Sequence, residues 1–408
     1  MKRFIFHHIY LILFVFSGLI LNSCKDNTDQ FEKNYENYLS NELKVEYTRQ
    51  EAVDNMVKIA PEAVVLSPLI KYDVEVRKLT YKTVFRDKNI SASGLVCLPK
   101  APGDFPVISF QNGTNTLHAD APSEKVDDDL FAIIESITSM GFIVVIPDYI
   151  GFGASSSLLH PYLDAKSTTR SILDLLRATK EYTSDDKVQA KFTKDLFIFG
   201  YSQGGWATMQ LQKSIEKDYS SEFNLIASSC GAGPYSIEYM NRYIVEKDEY
   251  PMPFFIAYVL NSYRTIGLIS NPLSDMIKEP YATLIPGLFD GTNSGGTINS
   301  KLTTKMADLF TAEYRSGFAT NTKFAGLKSA LLSNSVTAWK ATTPMKLFHG
   351  AKDEYIPVGV SQKILLDFKT AGVPDSRVQL TIFPEADHTT GVYPTGLETI
   401  KWFLSLKK

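Results

Sequence analysis

From about residue 74 onward, short and largely apolar runs alternate with longer stretches whose apolar residues recur every three or four positions. Phe142–Ile146, Phe197–Phe199, Phe223–Ser228, Met345–Phe348 and Val378–Phe383 are the short runs. Strands covered on both faces read this way, and with helices between them they predict a parallel sheet sandwiched by helices. Val74–Val84 alternates instead, and Ile90–Leu98 follows as its hairpin partner, with the small and β-branched residues of a sheet edge. Pro106–Phe110 is a further short strand, opening into Gln111-Asn112-Gly113-Thr114-Asn115-Thr116. Helices are expected over Arg49–Ile59, stopped by Pro61, and over Asp128–Met140, with Gly141 at the C-cap. Others fall at Asp164–Tyr182, directly after Ser202, at Ser361–Thr370 and at Gly396–Leu406.

The rhythm breaks after Gly231. Residues 232–342 lack short apolar strands and carry Tyr, Phe, Met, Leu and Pro clusters at helical spacing. They read as a helical cap inserted into one α/β body made of residues 47–231 and 343–408, and they are numerous enough for a small core of their own.

The amino terminus differs again. Lys2-Arg3 and the apolar run Phe4–Leu21 predict a signal peptide over 1–23. The run ends in Leu21-Asn22-Ser23-Cys24, which resembles a lipobox; that resemblance implies lipidation at Cys24 and a lipid-anchored, exported protein, with an uncleaved anchor as the alternative. Residues 24–46 are rich in Asp, Asn, Glu and Lys and read as a polar tether.

Composition narrows the function classes. With 44% hydrophobic residues the chain can bury a large core, and a formal charge of -3 without a basic stripe argues against nucleic acid. Three cysteines make neither a metal framework nor a disulfide scaffold, so no metal or cofactor is expected. Cys97 and Cys230 lie in apolar runs and read as buried thiols, a bridge between them being the alternative.

Chemistry enters at Gly200-Tyr201-Ser202-Gln203-Gly204. It matches G-x-S-x-G between an apolar strand and an amphipathic helix, the context of a sharp turn that exposes a nucleophilic serine. Side chains at the glycines would collide with neighbouring elements. Serine needs a base to take its proton and an acid to orient that base. Outside residues 1–23 the histidines are His118, His160, His349 and His388. His388 follows the last apolar strand, so its loop should rise from the same sheet edge as Ser202. His349 reads as a brace for the acid loop, and His118 and His160 as surface or loop residues. Asp353 follows the strand at Met345–Phe348 and is favoured as the acid over Glu354 and Asp387, because adjacent side chains such as Asp387 and His388 usually diverge.

In this order of Ser202, Asp353 and His388 the chain resembles the α/β-hydrolase superfamily, in its secretory-lipase branch, with prolyl-oligopeptidase-like hydrolases nearby. The resemblance extends from about Tyr72 to the C-terminus. It includes Ser93-Gly94-Leu95, Gln111-Asn112-Gly113-Thr114, Pro147-Asp148-Tyr149-Ile150-Gly151-Phe152-Gly153 and Arg177-Ala178. Many relatives carry histidine where Asn112 stands. The resemblance implies a serine hydrolase of carboxylic esters working through an acyl-enzyme on ester or lipid substrates, with no cofactor and with a helical lid where the insertion lies. The oxyanion hole is expected from the amide of Gln203 and an amide of the loop at Gly113–Asn115, with Thr114 named first. Asp148, Asp174 and Arg177 read as buried bracing. A peptidase, or a surface binding module that kept the fold without the activity, are the rival readings.

Overall fold

The computed structural model describes residues 35–408. The leader, Cys24 and the first part of the tether lie outside the described residues. A nine-stranded sheet has the order β1-β2-β3-β5-β4-β6-β7-β8-β9. Its strands are β1 (Tyr38–Tyr47), β2 (Val74–Phe85), β3 (Lys88–Pro99), β4 (Gly103–Gln111), β5 (Ile143–Pro147), β6 (Ala190–Tyr201), β7 (Asn224–Gly231), β8 (Met345–Gly350) and β9 (Val378–Phe383). β1, β2 and β3 run antiparallel, and β3 is antiparallel to β5. Every pairing from β5 to β9 is parallel, in keeping with the largely apolar runs separated by helices. All loops leaving the carboxyl ends of β4, β6, β8 and β9 therefore emerge on one edge, which is where parallel sheets carry their sites.

Helices α1 (Arg49–Ile59), α2 (Asp129–Ser136), α3 (Ala165–Thr183) and α4 (Gln203–Ser214) form where the periodicity put them. Thr48 and Glu51 make a reciprocal capping box at the start of α1. Gly141 closes the turn after α2 in the left-handed conformation, at φ 85°. Between β7 and β8 come α5 (Ile237–Glu246), α6 (Phe254–Thr265), α7 (Tyr281–Leu288), α8 (Gly295–Ser300), α9 (Met306–Leu309), α10 (Ala312–Gly317) and α11 (Ala325–Asn334). Then α12 (Gly359–Thr370) and α13 (Val392–Leu406) complete the chain. Side chains of α3, α4 and α12 fill one apolar cluster, and those of α1, α2 and α13 fill another.

Three readings change, and the buried free thiols are as expected. Over residues 38–46 the tether is an edge strand, paired to β2 from Tyr38↔Tyr81 to Tyr47↔Val74. Glu42 and Glu46 are exposed there, and charge is how edge strands avoid pairing with other chains, so the segment has the composition of a solvated linker. The β2–β3 hairpin forms, but β3 is interior, because β5 pairs with Gly94–Cys97. Its small residues serve close packing: a Cβ on Gly94 would sit 2.6 Å from the Ile146 carbonyl oxygen and from Leu175 Cδ2. The inserted helices do not keep a separate core, since Ile237, Phe324 and Leu327 join the same cluster as Trp206 and Leu176. Cys97 and Cys230 are both free and buried. They belong to different apolar clusters, which leaves no bridge between them.

Buried acids are braced as read. Asp148 accepts from the Ser93 and Ser123 hydroxyls, each at 2.6 Å. Asp174, without exposed side-chain surface, pairs with Arg170 and Arg177 at 2.7 Å each. Glu135 on α2 is different. It is fully buried and, among the described residues, is met only by the Tyr47 hydroxyl at 2.9 Å, so burial pushes its carboxyl up to about 8. The unfolded chain gives up this proton at ordinary carboxylate pH while the folded chain keeps it. Stability is therefore fully present below the unfolded pKa and is lost as pH climbs towards about 8. Glu135→Gln removes that dependence. In urea titrations the variant is expected to match the parent in acid and to exceed it by several kcal/mol, up to about 5, at mildly alkaline pH; a variant weaker at both would contradict the protonated state.

Candidate active site

Ser202 stands where β6 turns into α4, and the turn is tight enough to hold it at φ 59°, left-handed for a residue with a side chain. The glycines around it are there for space. A Cβ on Gly204 would lie 1.8 Å from the Gln111 carbonyl oxygen, and one on Gly205 would lie 2.2 Å from that of Gly231. The strained serine is held from below by its amide, which donates to the Gly231 carbonyl at 2.9 Å.

Two further loops reach this corner from the same sheet edge. The loop after β9 brings His388, whose Nε2 lies 2.9 Å from Ser202 Oγ across 186 residues of chain. The loop after β8 brings Asp353, whose Oδ2 lies 2.7 Å from His388 Nδ1. Backbone bonds join the two loops, from Ala351 to the Phe383 carbonyl and from Lys352 to that of Ala386, each at 2.9 Å. Gly350 allows that approach, since a Cβ there would sit 2.3 Å from the Ala386 oxygen. The His388 ring is flanked by Tyr201 and Tyr355 at 5.3 and 5.1 Å between centroids.

The three acids weighed in the sequence have distinct surroundings. Glu354 is exposed. Asp387 accepts the amides of Thr389 and Thr390 at 2.9 and 2.7 Å, so it shapes the histidine loop. Asp353 is buried; its Oδ1 accepts the amides of Tyr355 and Ile356 at 2.9 and 2.8 Å. Burial alone would raise its pKa, but hydrogen bonds from His349 and His388, the charge of His388 and the Ile356 amide together hold it at about 2.

Beside Ser202 opens a narrow cavity of about 40 Å³, lined by Ile237, Met240, Ile244, Ile256 and Val259 from the inserted helices and by Ile356 from the acid loop. Among the described residues no group of three or more His, Cys, Asp or Glu is arranged to hold a metal ion.

A model of the secretory lipase family matches residues 117–404, well over half of the chain. The chain belongs to the secretory lipase family. Its structure agrees. A candidate hydrolase from Legionella pneumophila superposes with a TM-score of 0.81 at 26% identity, over 91% of this chain and 98% of that one. The rice cell wall degrading esterase LipA from Xanthomonas oryzae gives 0.76 at 22%, over 89% and 95%. Candida antarctica lipase A in its closed state gives 0.65 at 16%, over 89% and 82%. These likenesses establish the α/β-hydrolase fold with its inserted helical cap, while the family match makes the protein a hydrolase of esters. Among curated proteins none matches this sequence.

For a secretory lipase the amides around Ser202 matter as well as its hydroxyl. As the first residue of α4, Gln203 has an amide with no carbonyl partner within the helix. On the other side Gly113 packs against the nucleophile, a Cβ there lying 3.9 Å from the Ser202 Cβ. The adjacent Thr114 has its hydroxyl 2.8 Å from the Tyr162 hydroxyl. The Asn112 carbonyl accepts the Tyr149 hydroxyl at 3.2 Å.

Among the other histidines, His349 is fully buried and braces the acid loop through the Ile356 carbonyl at 2.8 Å and the Ser361 hydroxyl at 2.7 Å. His160 lies in the loop before α3, as read, but it is buried and not at the surface, being only 4% exposed. Burial lowers its pKa to about 4, so the ring is neutral. Nδ1 then donates to the Ile150 carbonyl at 2.7 Å, and Nε2 accepts from the Gln203 side chain at 3.1 Å. It thus steadies the side chain of the residue that follows Ser202. No spacing in the sequence points to this pair; the one local trace is Gly151, where a Cβ would meet the His160 backbone at 2.5 Å.

Proposed function

We propose that this secretory lipase cleaves carboxylic esters through an acyl-enzyme, with Ser202 as nucleophile, His388 as general base and acid, and Asp353 as the orienting carboxylate. The observation that carries this reading is the unbroken hydrogen-bonded chain from Ser202 Oγ through His388 to Asp353 beside an apolar cavity. Asp353 keeps the proton of His388 on Nδ1, so Nε2 is free to accept that of Ser202. Ser202 Oγ then attacks the ester carbonyl carbon while its proton passes to Nε2. The negative oxygen that forms is met by the Gln203 amide and a second from Thr114, reinforced by the positive end of α4. As the intermediate collapses, His388 hands the proton to the departing alcohol oxygen and the acyl group stays on Ser202. Water repeats both steps and releases the acid.

The cavity's apolar lining favours an acyl group over a charged moiety, and its volume has room for a chain of roughly three or four heavy atoms. Short-acyl p-nitrophenyl esters should therefore be turned over faster than long-chain ones, and aminoacyl-proline amides hardly at all. A preference for the amides would transfer the same three residues to a peptidase. Export is in keeping with the family. Anchoring through a lipid on Cys24 is supported by the lipobox-like residues 21–24 alone; mass spectrometry of the mature N-terminus checks it, and an intact Met1 would remove it.

A further inference from the structure

The cavity beside Ser202 has an almost wholly apolar wall, and its polar groups can be accounted for one at a time. Tyr162 and Tyr250 line it, but their hydroxyls are engaged, at 2.8 Å with Thr114 Oγ1 and at 2.9 Å with the Tyr355 carbonyl. Ser202 is the nucleophile. That leaves Asn241 on α5, between Met240 and the next-turn residue Ile244, both of which also line the cavity.

Asn241 has no exposed surface. The Tyr314 hydroxyl on α10 donates to its Oδ1 at 2.6 Å, which sets the orientation of the amide. Its Nδ2, carrying two hydrogens, has no partner among the described residues. Buried donors are nearly always paired, and one left alone destabilises the fold that holds it. A residue of this size in an apolar wall would be better replaced by leucine unless something occupies the amide. Tyr314 engages only the oxygen, so the two N–H groups of this cavity-lining residue are left to donate.

Resting on the acyl-enzyme reading above, we propose that Asn241 is a specificity residue whose Nδ2 donates to an oxygen atom carried by the acyl group. The preferred substrate is then an ester of a short, oxygen-substituted acid, with a keto, ether or hydroxyl oxygen a few bonds from the carbonyl, in place of a plain hydrocarbon chain. The cavity's small volume sets the short length, and the lone donor in its wall sets the need for an acceptor. A site built to hydrogen-bond a substrate atom discriminates against the isostere that lacks it, because the buried group is left unpaired.

The test uses two p-nitrophenyl esters of equal shape, the levulinate with its ketone and the isocaproate with a methyl branch in its place. The ratio of their kcat/KM values is measured for the wild-type protein and for the variant N241L/Y314F, in which the second change removes the hydroxyl that would lose its acceptor. Dividing one ratio by the other cancels the intrinsic reactivity of the esters. The expected result is a preference for levulinate that falls by about tenfold in the variant, chiefly through KM. An unchanged ratio, with both esters cleaved and Ser202 labelled by a fluorophosphonate, overturns the assignment of Asn241 and leaves the acyl-enzyme standing. Absence of both cleavage and labelling in the wild-type protein overturns the two together. If the variant does not fold, competitive inhibition of the wild type decides. Free levulinate must inhibit more strongly than isocaproate, and equal or weaker inhibition refutes the proposal.

Discussion

Replacing Ser202 with alanine is expected to lower ester turnover by roughly four to six orders of magnitude while leaving the fold intact. The change removes one oxygen and keeps the Cβ, so the strained turn at φ 59° meets no new clash. What disappears is the hydroxyl oxygen 2.9 Å from His388 Nε2 that would take the acyl group. The imidazole, the Gln203 amide and the cavity remain, and they support the small residual rate typical of such variants. Single-turnover kinetics with a p-nitrophenyl ester, read with and without fluorophosphonate labelling, measure the loss. Near-normal turnover in the alanine variant would sink the nucleophile.

Asp353→Asn should cost about four orders of magnitude in kcat, with little change in KM. Oδ2 of Asp353 accepts from His388 Nδ1, and Oδ1 accepts two backbone amides. An asparagine has one acceptor for these two tasks. If its nitrogen faces His388, the ring must carry its proton on Nε2 and no longer accepts the proton of Ser202. With the nitrogen turned the other way, it abuts the amides of Tyr355 and Ile356 and the loop is disturbed. At about 2, the Asp353 pKa keeps this carboxylate charged at any pH where the enzyme works, so its ionisation shapes no part of the working pH–rate profile. Asp387→Asn is the comparison. That side chain spans only its own loop and keeps an acceptor oxygen after the change, so a loss below about threefold is expected. A larger loss in Asp387→Asn than in Asp353→Asn would exchange their roles.

Some of this architecture is written in nearest-neighbour patterns. The helix at Arg49–Ile59, the β2–β3 hairpin and the strands leading to Ser202, Asp353 and His388 follow from which positions are apolar and where Gly and Pro interrupt them. The elbow at Ser202 is legible because steric crowding leaves so few residue types free to vary around it. The strand at Tyr38–Tyr47 escaped this reading. Its stability comes from backbone pairing with β2, and its outward side chains answer to solvent. His160 escaped for a different reason: its partner Gln203 is 43 residues away, and neither residue has a type that calls for the other.

Taken alone, the order of residues determined the alternation of strand and helix, the serine turn, and the short set of histidines and acids able to serve it, because burial periodicity and backbone sterics act within a few positions of one another. Only the folded chain decided which acid meets His388, that His160 steadies Gln203, and that the amide of Asn241 is left without a partner in the wall of the cavity. Those are contacts between loops and helices far apart in the chain, and a hydrogen bond depends on distances of a few tenths of an ångström that no local pattern of hydrophobicity encodes.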